Sequence, residues 1–519
     1  MTRYVGFSEF YHDAGVSIIE EDGTVSYASH AERWSKKKND AVIPDKLWDF
    51  VGQKSDEKIS FYEDWDLKFG KRGGINVSGG IRDEENRSQF FDPEGRHFAK
   101  WKTDDEIRKY TARVPQHESL VYDDFHLHHE SHCAGALYTR PWDSMDDTVC
   151  VSIDGAGEVQ CSVIMDSKFN IIKEWHYPKS IGIIYSIVTK ALKLRPFEDE
   201  YVVMGLSSYG EDEFSDWIYE QYHQFTDEAQ ELMKGIKISS EYSAREKMRM
   251  SFVRALYERC KATTPENAAA SVQKFTEKAI MEIMREARNH GSKLVYSGGC
   301  AQNVVVNSLL HELFDEVHIA LAPADSGSSL GAAAKTWAEE TGGNKLIWTP
   351  YMGTNIDREI NPTEVVDYLL SDKVCGVANG RAEFGPRALG NRSLIADVRY
   401  DVKDTVNEIK RRQKYRPFAP AILEEYVDEY FEGPTNEYMQ FTAKALHDYK
   451  SVTHIDGTAR VQVVRKDCQS IFRKIIEEYY ERTGVPMLLN TSLNIRGRPM
   501  VDDEADAKLW QSKYNIRVF

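Results

Sequence analysis

From Tyr4 the chain reads as an apolar strand, a polar turn of His12, Asp13, Ala14 and Gly15, a second strand over Val16–Ile19, the turn Glu21-Asp22-Gly23, and a third strand. From Thr148 the design returns as VCVSIDGAGE, then VQCSVIMD, the turn Ser167-Lys168 and NIIKEWHY. Alternating β-branched residues broken by Asp-Gly turns are hairpin signals. Used twice, the unit predicts a duplicated sheet domain with a cleft between its halves, although two unrelated hairpins would leave the same local pattern.

Residues 213–290 follow a helical period, with apolar positions three and four apart at Phe252, Ala255 and Leu256 and again at Ile280, Ile283, Met284 and Ala287. KLVYSGGCAQNVVVNSLL then gives a strand, a Gly-Gly turn and a helix, and HIALAPADSGSSLGAAAKTWAEE repeats that order. Small residues at such a turn let the backbone approach a phosphate at a helix N-terminus. Gly298, Gly299 and Asn303 are therefore candidate nucleotide contacts. The run TGGNKLIWTPYMGTN at 341–355 reads as a linker, and Arg-rich segments fill 374–499. We expect an α/β domain over 1–345 and a second α/β or α+β domain over 346–519.

Composition narrows the function. The 519 residues, 41% hydrophobic, suffice for about two to four domains. A balance of 66 basic against 83 acidic residues, net −17, excludes a dedicated binder of long nucleic acid, which needs a basic stripe. A local arginine cluster still suits a small anion. The opening segment carries charges and lacks the apolar stretch of a signal peptide or membrane span. Seven scattered cysteines without CxxC spacing suit reduced thiols, so a cytoplasmic location is expected and a cysteine zinc cluster is not. A homo-oligomer is left open.

Two groups of residues point to chemistry. In FHLHHESHCAG, His128 and His132 share one helix face, the spacing of two imidazoles on one metal, while His126 and His129 lie off it. The small residues that follow allow that helix to pack closely against a sheet. Asp154 and Asp325, in Gly-rich turns, are the candidate carboxylates; a turn-forming role is the alternative. Imidazoles with carboxylates suit iron, zinc or manganese better than magnesium or calcium. His12 is placed to act as a general base in a cleft, or is simply an exposed turn residue. Farther on, Arg381, Arg387, Arg392, Lys410, Arg412, Arg416 and Arg460 recur among Gly, Pro and Asn turns, and Asn490, Thr491 and Ser492 end an apolar strand. Guanidinium forks match phosphate oxygens, and seven such cations exceed what an ordinary ion-pair network explains.

These strings together resemble the O-carbamoyltransferases of the nodulation NodU and cephamycin CmcH type, a family that includes tobramycin carbamoyltransferase. The motifs in order are HDAG at 12–15, AERWSKKKND at 31–40, HHESH at 128–132, DGAGE at 154–158, VMGLSSYG at 203–210, SGGCAQN at 297–303, ADSGSSLGAA at 324–333, EFGPRALGNRS at 383–393, YRPFAP at 415–420, DGTARVQ at 456–462 and LNTSLN at 489–494. The resemblance implies an actin/sugar-kinase-like N-terminal domain and a YrdC-like C-terminal domain. The latter would combine ATP, with Mg2+, and carbamoyl phosphate into carbamoyl-adenylate and pyrophosphate, and the former would pass the carbamoyl group to a hydroxyl of a small acceptor. It implies His12 as base, His128, His132 and Asp325 as ligands of a divalent metal, iron by analogy, with Asp154 as a fourth. Lys410, Arg416, Arg460, Asn490 and Ser492 would hold carbamoyl phosphate and adenylate, with Arg387 and Arg392 alongside.

The chain departs from the family at Val202, where Lys is common, at Cys300 and Gln302 in place of the GGVALN pattern, and in its short tail. The competing readings are a tRNA N-threonylcarbamoyl-type transferase, disfavoured by net charge and domain order, and a sugar-kinase-like sensor without transfer chemistry. Arg33, Lys36, Lys37 and Lys38 crowd four cations into six residues. They form either a solvated loop or a clamp beside His12 for a phosphorylated acceptor such as a hydroxymethyl nucleotide.

Overall fold

The computed structural model describes residues 2–9, 13–51, 57–63, 124–158, 160–176, 179–233 and 242–519. Strands β1 (Arg3–Ser8), β2 (Gly15–Glu20), β3 (Val25–His30), β4 (Glu57–Phe61) and β5 (Asp124–Phe125) form one sheet in the order β3-β2-β1-β4-β5. Strands β6 (Thr148–Ile153), β7 (Gln160–Asp166), β8 (Ile171–His176), β9 (Lys293–Ser297) and β10 (Glu316–Ile319) form a second, β10-β9-β6-β7-β8, the same series read from the other edge. In each, an antiparallel three-stranded meander continues into two parallel strands. The duplication expected from the sequence is present, and the alternative of two unrelated hairpins is not.

The duplication puts corresponding loops side by side. The turn after β1, with Asp13, corresponds to the turn after β6, with Asp154. Parallel sheets of this kind bind ligands beyond the carboxyl ends of their strands. Strand β6 is buried along its whole length, as a central strand covered on both faces must be.

Between the sheets lie the helices His128–Leu137 and Asp325–Thr341. They cross closely: a Cβ added at Gly331 would fall 1.7 Å from the Ser131 carbonyl oxygen, and one at Gly6 of β1 would fall 1.9 Å from the Ser329 carbonyl oxygen. The small residues after the histidines thus serve two surfaces. Cys133 and Ala136 pack with Cys150, Val163 and Val295 of the second sheet, while Gly135 faces Gly331 of the neighbouring helix. The predicted helical stretch is three helices, Ser215–Met233, Tyr242–Ala262 and Pro265–Arg288.

The remaining strands are β11 (Tyr351–Ile356), β12 (Val374–Ala378), β13 (Gly380–Glu383), β14 (Arg392–Ala396), β15 (Ala419–Leu423), β16 (Phe431–Glu432), β17 (Ala443–Ala445), β18 (Thr458–Ala459), β19 (Gln462–Val464) and β20 (Met487–Ser492). The main sheet runs β12-β14-β20-β15-β19, antiparallel except for β15 with β19. Helices Pro362–Asp372 and Phe472–Thr483 share one core cluster with it; Lys403–Ile409 and Glu504–Tyr514 share another. No described helix is long and apolar enough to cross a membrane.

One expectation fails. The 341–355 stretch is no loose linker: Val25 and Ile347 are joined by a backbone bond of 2.9 Å, Leu346 is buried, and Met352 packs with Tyr4 and Trp337 of the first half. Its Gly and Pro residues shape turns within packed structure, which composition alone does not distinguish from a tether.

The close helix crossing gives a direct test. Gly331→Ala should destabilise the protein by about 1–3 kcal/mol or more through overpacking against immovable backbone, read as a lower denaturant midpoint at unchanged m-value.

Candidate active site

One helix and two turns bring four donors together. His128 and His132 come from the helix His128–Leu137, Asp154 from the end of β6 and Asp325 from the first turn of the helix that follows β10. All four ligating atoms lie within 4.8 Å of one another. His132 Nε2 is 3.1 Å from Asp154 Oδ2, 3.4 Å from Asp325 Oδ1 and 3.1 Å from His128 Nε2. The outer ring nitrogens are held from behind: His128 Nδ1 meets Glu63 at 2.9 Å and His132 Nδ1 meets Ser328 Oγ at 3.1 Å. Such outer partners fix imidazole orientation in metal sites.

The donor set fits a transition ion. Two imidazole nitrogens point at one spot with two carboxylates, an arrangement that leaves like lone pairs facing each other unless protons or a cation stand between them. Burial opposes protonation of His128, but the hydrogen bonds that its ring donates to Asp154 and Glu63 outweigh it and hold its pKa well above the imidazole range. Burial likewise opposes ionisation of Asp154, and the two histidines reverse it, keeping its carboxyl well below the usual range. His126 and His129 are structural, as their off-face positions suggest. Burial pushes them down to about 4 and about 3, and they bond Thr336 at 2.8 Å and Ser152 at 2.8 Å.

Asp154 and Asp325 also line a cavity of about 510 Å³ that runs between the N-terminal sheets and the C-terminal strands. On its far wall stand Arg387, Lys410, Arg412, Arg416 and Arg460. None of these five has a carboxylate within ion-pairing distance among the described residues. Lys410 Nζ donates instead to Ser492 Oγ (3.2 Å) and to Asn494 Oδ1 (2.8 Å), and Arg412 Nε donates to Asn407 Oδ1 (2.6 Å). Arg416 stacks 4.5 Å from the Tyr201 ring, and Arg460 Nε and Asn490 Oδ1 are buried without partners. Burial, then mutual repulsion, drives Lys410, Arg412 and Arg460 well below their ordinary values, and burial brings Arg387 down to about 10. Five uncompensated cations on one wall make a receptor for a polyanion.

Other sequence candidates have different places. His12 lies outside the described residues; its neighbour Asp13 lines the cavity. Arg392 is no phosphate ligand: it is fully buried and its guanidinium is spent on the carbonyls of Asp502, Asn379, Gly380, Asn391 and Thr354 at 2.8–3.1 Å. The Gly-Gly turn is not an open phosphate cradle. Gly298 N–H donates to Pro323 O (2.9 Å), Gly299 N–H to Asp154 Oδ2 (3.0 Å), and the Asn303 amide is taken by Gln273 and by capping Val306. With φ of 90° and Ile153 O 2.3 Å from any added Cβ, Gly298 is there to set the turn that aims Gly299 at Asp154.

The basic loop is mostly spent as well. Lys36 pairs with Asp506 (2.5 Å) and Lys37 with Asp40 (3.0 Å), and neither is among the residues lining the cavity. Lys38 lines it but is bound to both oxygens of Glu32 at 2.8 and 3.1 Å. Arg33 alone is buried on the cavity wall with unpartnered nitrogens. Of the departures, Val202 is core, while Cys300 and Gln302 line the cavity. Residues the sequence did not flag include Glu63, two positions past the end of β4, and Asn494, two positions past Ser492. They also include Glu383, whose Oε1 takes the backbone N–H groups of Leu389, Asn391 and Arg392 and so shapes the loop carrying Arg387.

The Carbamoyltransferase N-terminus family matches residues 107–334 and the Carbamoyltransferase C-terminus family matches 366–519. The chain belongs to the carbamoyltransferase family. It is an enzyme of the NodU/CmcH type by that membership. Nodulation protein U of Rhizobium tropici is 36% identical over 269 residues, 47% of each chain. Uncharacterized protein MJ1051 of Methanocaldococcus jannaschii is 27% identical over 542 residues, covering 96% of this chain and 94% of that one. Among solved structures, the activator of the 2-hydroxyisocaproyl-CoA dehydratase from Clostridium difficile is similar at TM-score 0.34 and 11% identity over 67% of this chain and all of that one. A likeness that low transfers neither ligand nor mechanism.

Two outcomes test the site. Metal should bind more weakly as pH falls, because the raised His128 pKa means protons compete for its nitrogen; titration calorimetry should show proton release on loading, and His128→Ala should lower bound metal. Pyrophosphate should raise the thermal midpoint by relieving repulsion among the five cations, and Arg460→Ala should shrink that rise.

Proposed function

We propose that the enzyme is an ATP-dependent O-carbamoyltransferase working through carbamoyl-adenylate, with the unpaired cation wall as the observation that carries the reading. Carbamoyl phosphate and ATP are both polyanions, and bringing them together requires positive charge that no protein carboxylate has already claimed. The balance is explicit. Water cleaves carbamoyl phosphate to carbamate and orthophosphate. A carbamate oxygen attacks the α-phosphorus of Mg-ATP, releasing pyrophosphate. An acceptor hydroxyl then attacks the carbamoyl carbon, and AMP leaves with the C–O electron pair.

Lys410, Arg416 and Arg460 would neutralise the phosphoryl oxygens, with Arg387 and Arg412 on the same wall and Asn490 and Ser492 offering short polar contacts at the end of β20. His12 would take the proton from the acceptor hydroxyl. The cavity that joins the two groups of residues would keep water from the adenylate. His128, His132, Asp154 and Asp325 would hold a divalent ion, for which iron is our choice from the resemblance. When bound, such an ion supplies Lewis acidity toward a carbonyl or phosphoryl oxygen. The duplicated sheets support an actin/sugar-kinase-like unit over 1–345, and the mostly antiparallel five-stranded sheet supports a separate adenylate-forming, YrdC-like unit over 346–519.

Pyrophosphate and orthophosphate should both appear from ATP and carbamoyl phosphate without any acceptor. Lys410→Ala and Arg416→Ala should abolish that release while the fold persists, since each lost charge-assisted contact costs about 1.5–3 kcal/mol. His12→Ala should still release pyrophosphate yet fail in transfer. Normal release by both cation variants, or transfer at full rate by His12→Ala, contradicts this assignment of roles.

A further inference from the structure

Arg33, in the short helix Ala31–Ser35, is the one cation of the 31–40 segment whose donors are not engaged. It is 3% exposed, lines the cavity, and has neither Nε nor Nη1 hydrogen-bonded. A guanidinium is a rigid fork of five donors that stays charged, and burying it unpaired costs several kcal/mol. Its surroundings have settled their own partners: Lys38 and Glu32 neutralise each other, and Lys36 and Lys37 hold Asp506 and Asp40. Asp502, whose Oδ2 accepts from Thr354 Oγ1 at 2.9 Å, makes no ion pair with Arg33 within 4 Å, and its Oδ1 also lacks a partner.

The position of Arg33 relates it to the acceptor. The start of its helix is bonded to the turn that follows His12, with Ala31 N–H donating to Ala14 O at 2.8 Å and Ala14 N–H donating to Asp40 O at 2.8 Å. The five cations assigned to the adenylate belong to the C-terminal strands and loops, so Arg33 is not needed there. We propose that Arg33 is a binding subsite for an oxyanion, a phosphate monoester or a carboxylate, carried by the hydroxyl acceptor. This deepens the transfer reading and rests on it for the identity of the second substrate. With Asp13 and Asp502 nearby, the anion is held by the directed fork and not by surplus positive charge, so a single bidentate group fits and a polyphosphate does not.

Three matched probe sets test this: glycerol with glycerol 3-phosphate and glycerate, ribose with ribose 5-phosphate and ribonate, and glucose with glucose 6-phosphate and gluconate. Titration calorimetry without ATP or carbamoyl phosphate reads binding alone. Wild type should bind at least one anionic member more tightly than its parent, and Arg33→Gln should weaken that binding about tenfold or more, with the parent unchanged and Arg33→Lys recovering part. Comparison of the phosphate with the carboxylate arm identifies the oxyanion. Transfer of label from carbamoyl phosphate should show the same loss in KM with kcat retained.

Failure of each reading has its own signature. Absence of acceptor-independent pyrophosphate release in wild type overturns the adenylate chemistry and leaves the binding data standing. No preference for any anionic probe, or equal binding by Arg33→Gln, overturns the subsite. Equal losses for neutral and anionic probes in both Arg33→Gln and Asp502→Asn assign the two residues to a water-bridged contact between the halves of the molecule, which also overturns it.

Discussion

Everything in the cavity is governed by charge that the protein itself leaves uncompensated. Five cations share a wall without a carboxylate to pair with, although the chain has a surplus of acids. Elsewhere that surplus is used freely: Arg473 has Glu425 and Glu477, Arg399 has Asp397, Arg358 has Glu504. Keeping acids away from one wall is therefore a property of the site and not of the composition. Such a wall costs stability by itself, and the anions proposed to bind there would offset that cost. Neutral hydrogen-bond acceptors hold the side chains meanwhile, as Ser492 and Asn494 do for Lys410.

The opposite end of the cavity solves the inverse problem. There two carboxylates and two imidazoles converge, a donor set that could hold a cation. Their convergence depends on backbone that tolerates no extra atom: the helix bearing Asp325 lies so close to the helix bearing His132 that only glycine fits at 331. The duplicated sheet places Asp154 and Asp13 at corresponding turns, and both line the same cavity, so one repeated piece of topology supplies an acid to it twice.

Much of this could be read in the sequence because the periodic signals were strong. The repeated strand-turn-strand unit, the HxxxH face and the helical character of 213–290 follow from spacing alone; the division of that stretch into three helices does not. What spacing could not do was tell one arginine from another. Arg387 and Arg392 sit five residues apart in the same motif, yet Arg387 lines the cavity while Arg392 is locked onto five carbonyls. The difference is made by Glu383, which folds the loop between them, and by strand β14, which turns Arg392 inward; neither is visible as a local pattern. For the same reason the sequence could not tell whether the basic segment was a solvated loop or a clamp of four. The carboxylates that take Lys36 arrive from residues 503 and 506, far beyond any sequence window. Glu63 likewise reaches His128 from beyond the end of β4.

The distribution of unsatisfied atoms then separates roles that residue type confuses. Arg392 and Arg33 are both nearly inaccessible arginines, and by burial alone they would be judged alike. Arg392 has its donors filled by main-chain oxygens, which fixes the junction of β13, β14 and the segment at 502 whether or not substrate is present. Arg33 has donors left over on the wall of the cavity. A folded chain can bear such a deficit only where it gains by it, because a water-accessible surface would have offered the same side chain solvation at no cost. The two arginines differ in what fills their donors: main-chain oxygens complete Arg392, while Arg33 keeps Nε and Nη1 open on the cavity wall, where the proposed acceptor anion would satisfy them.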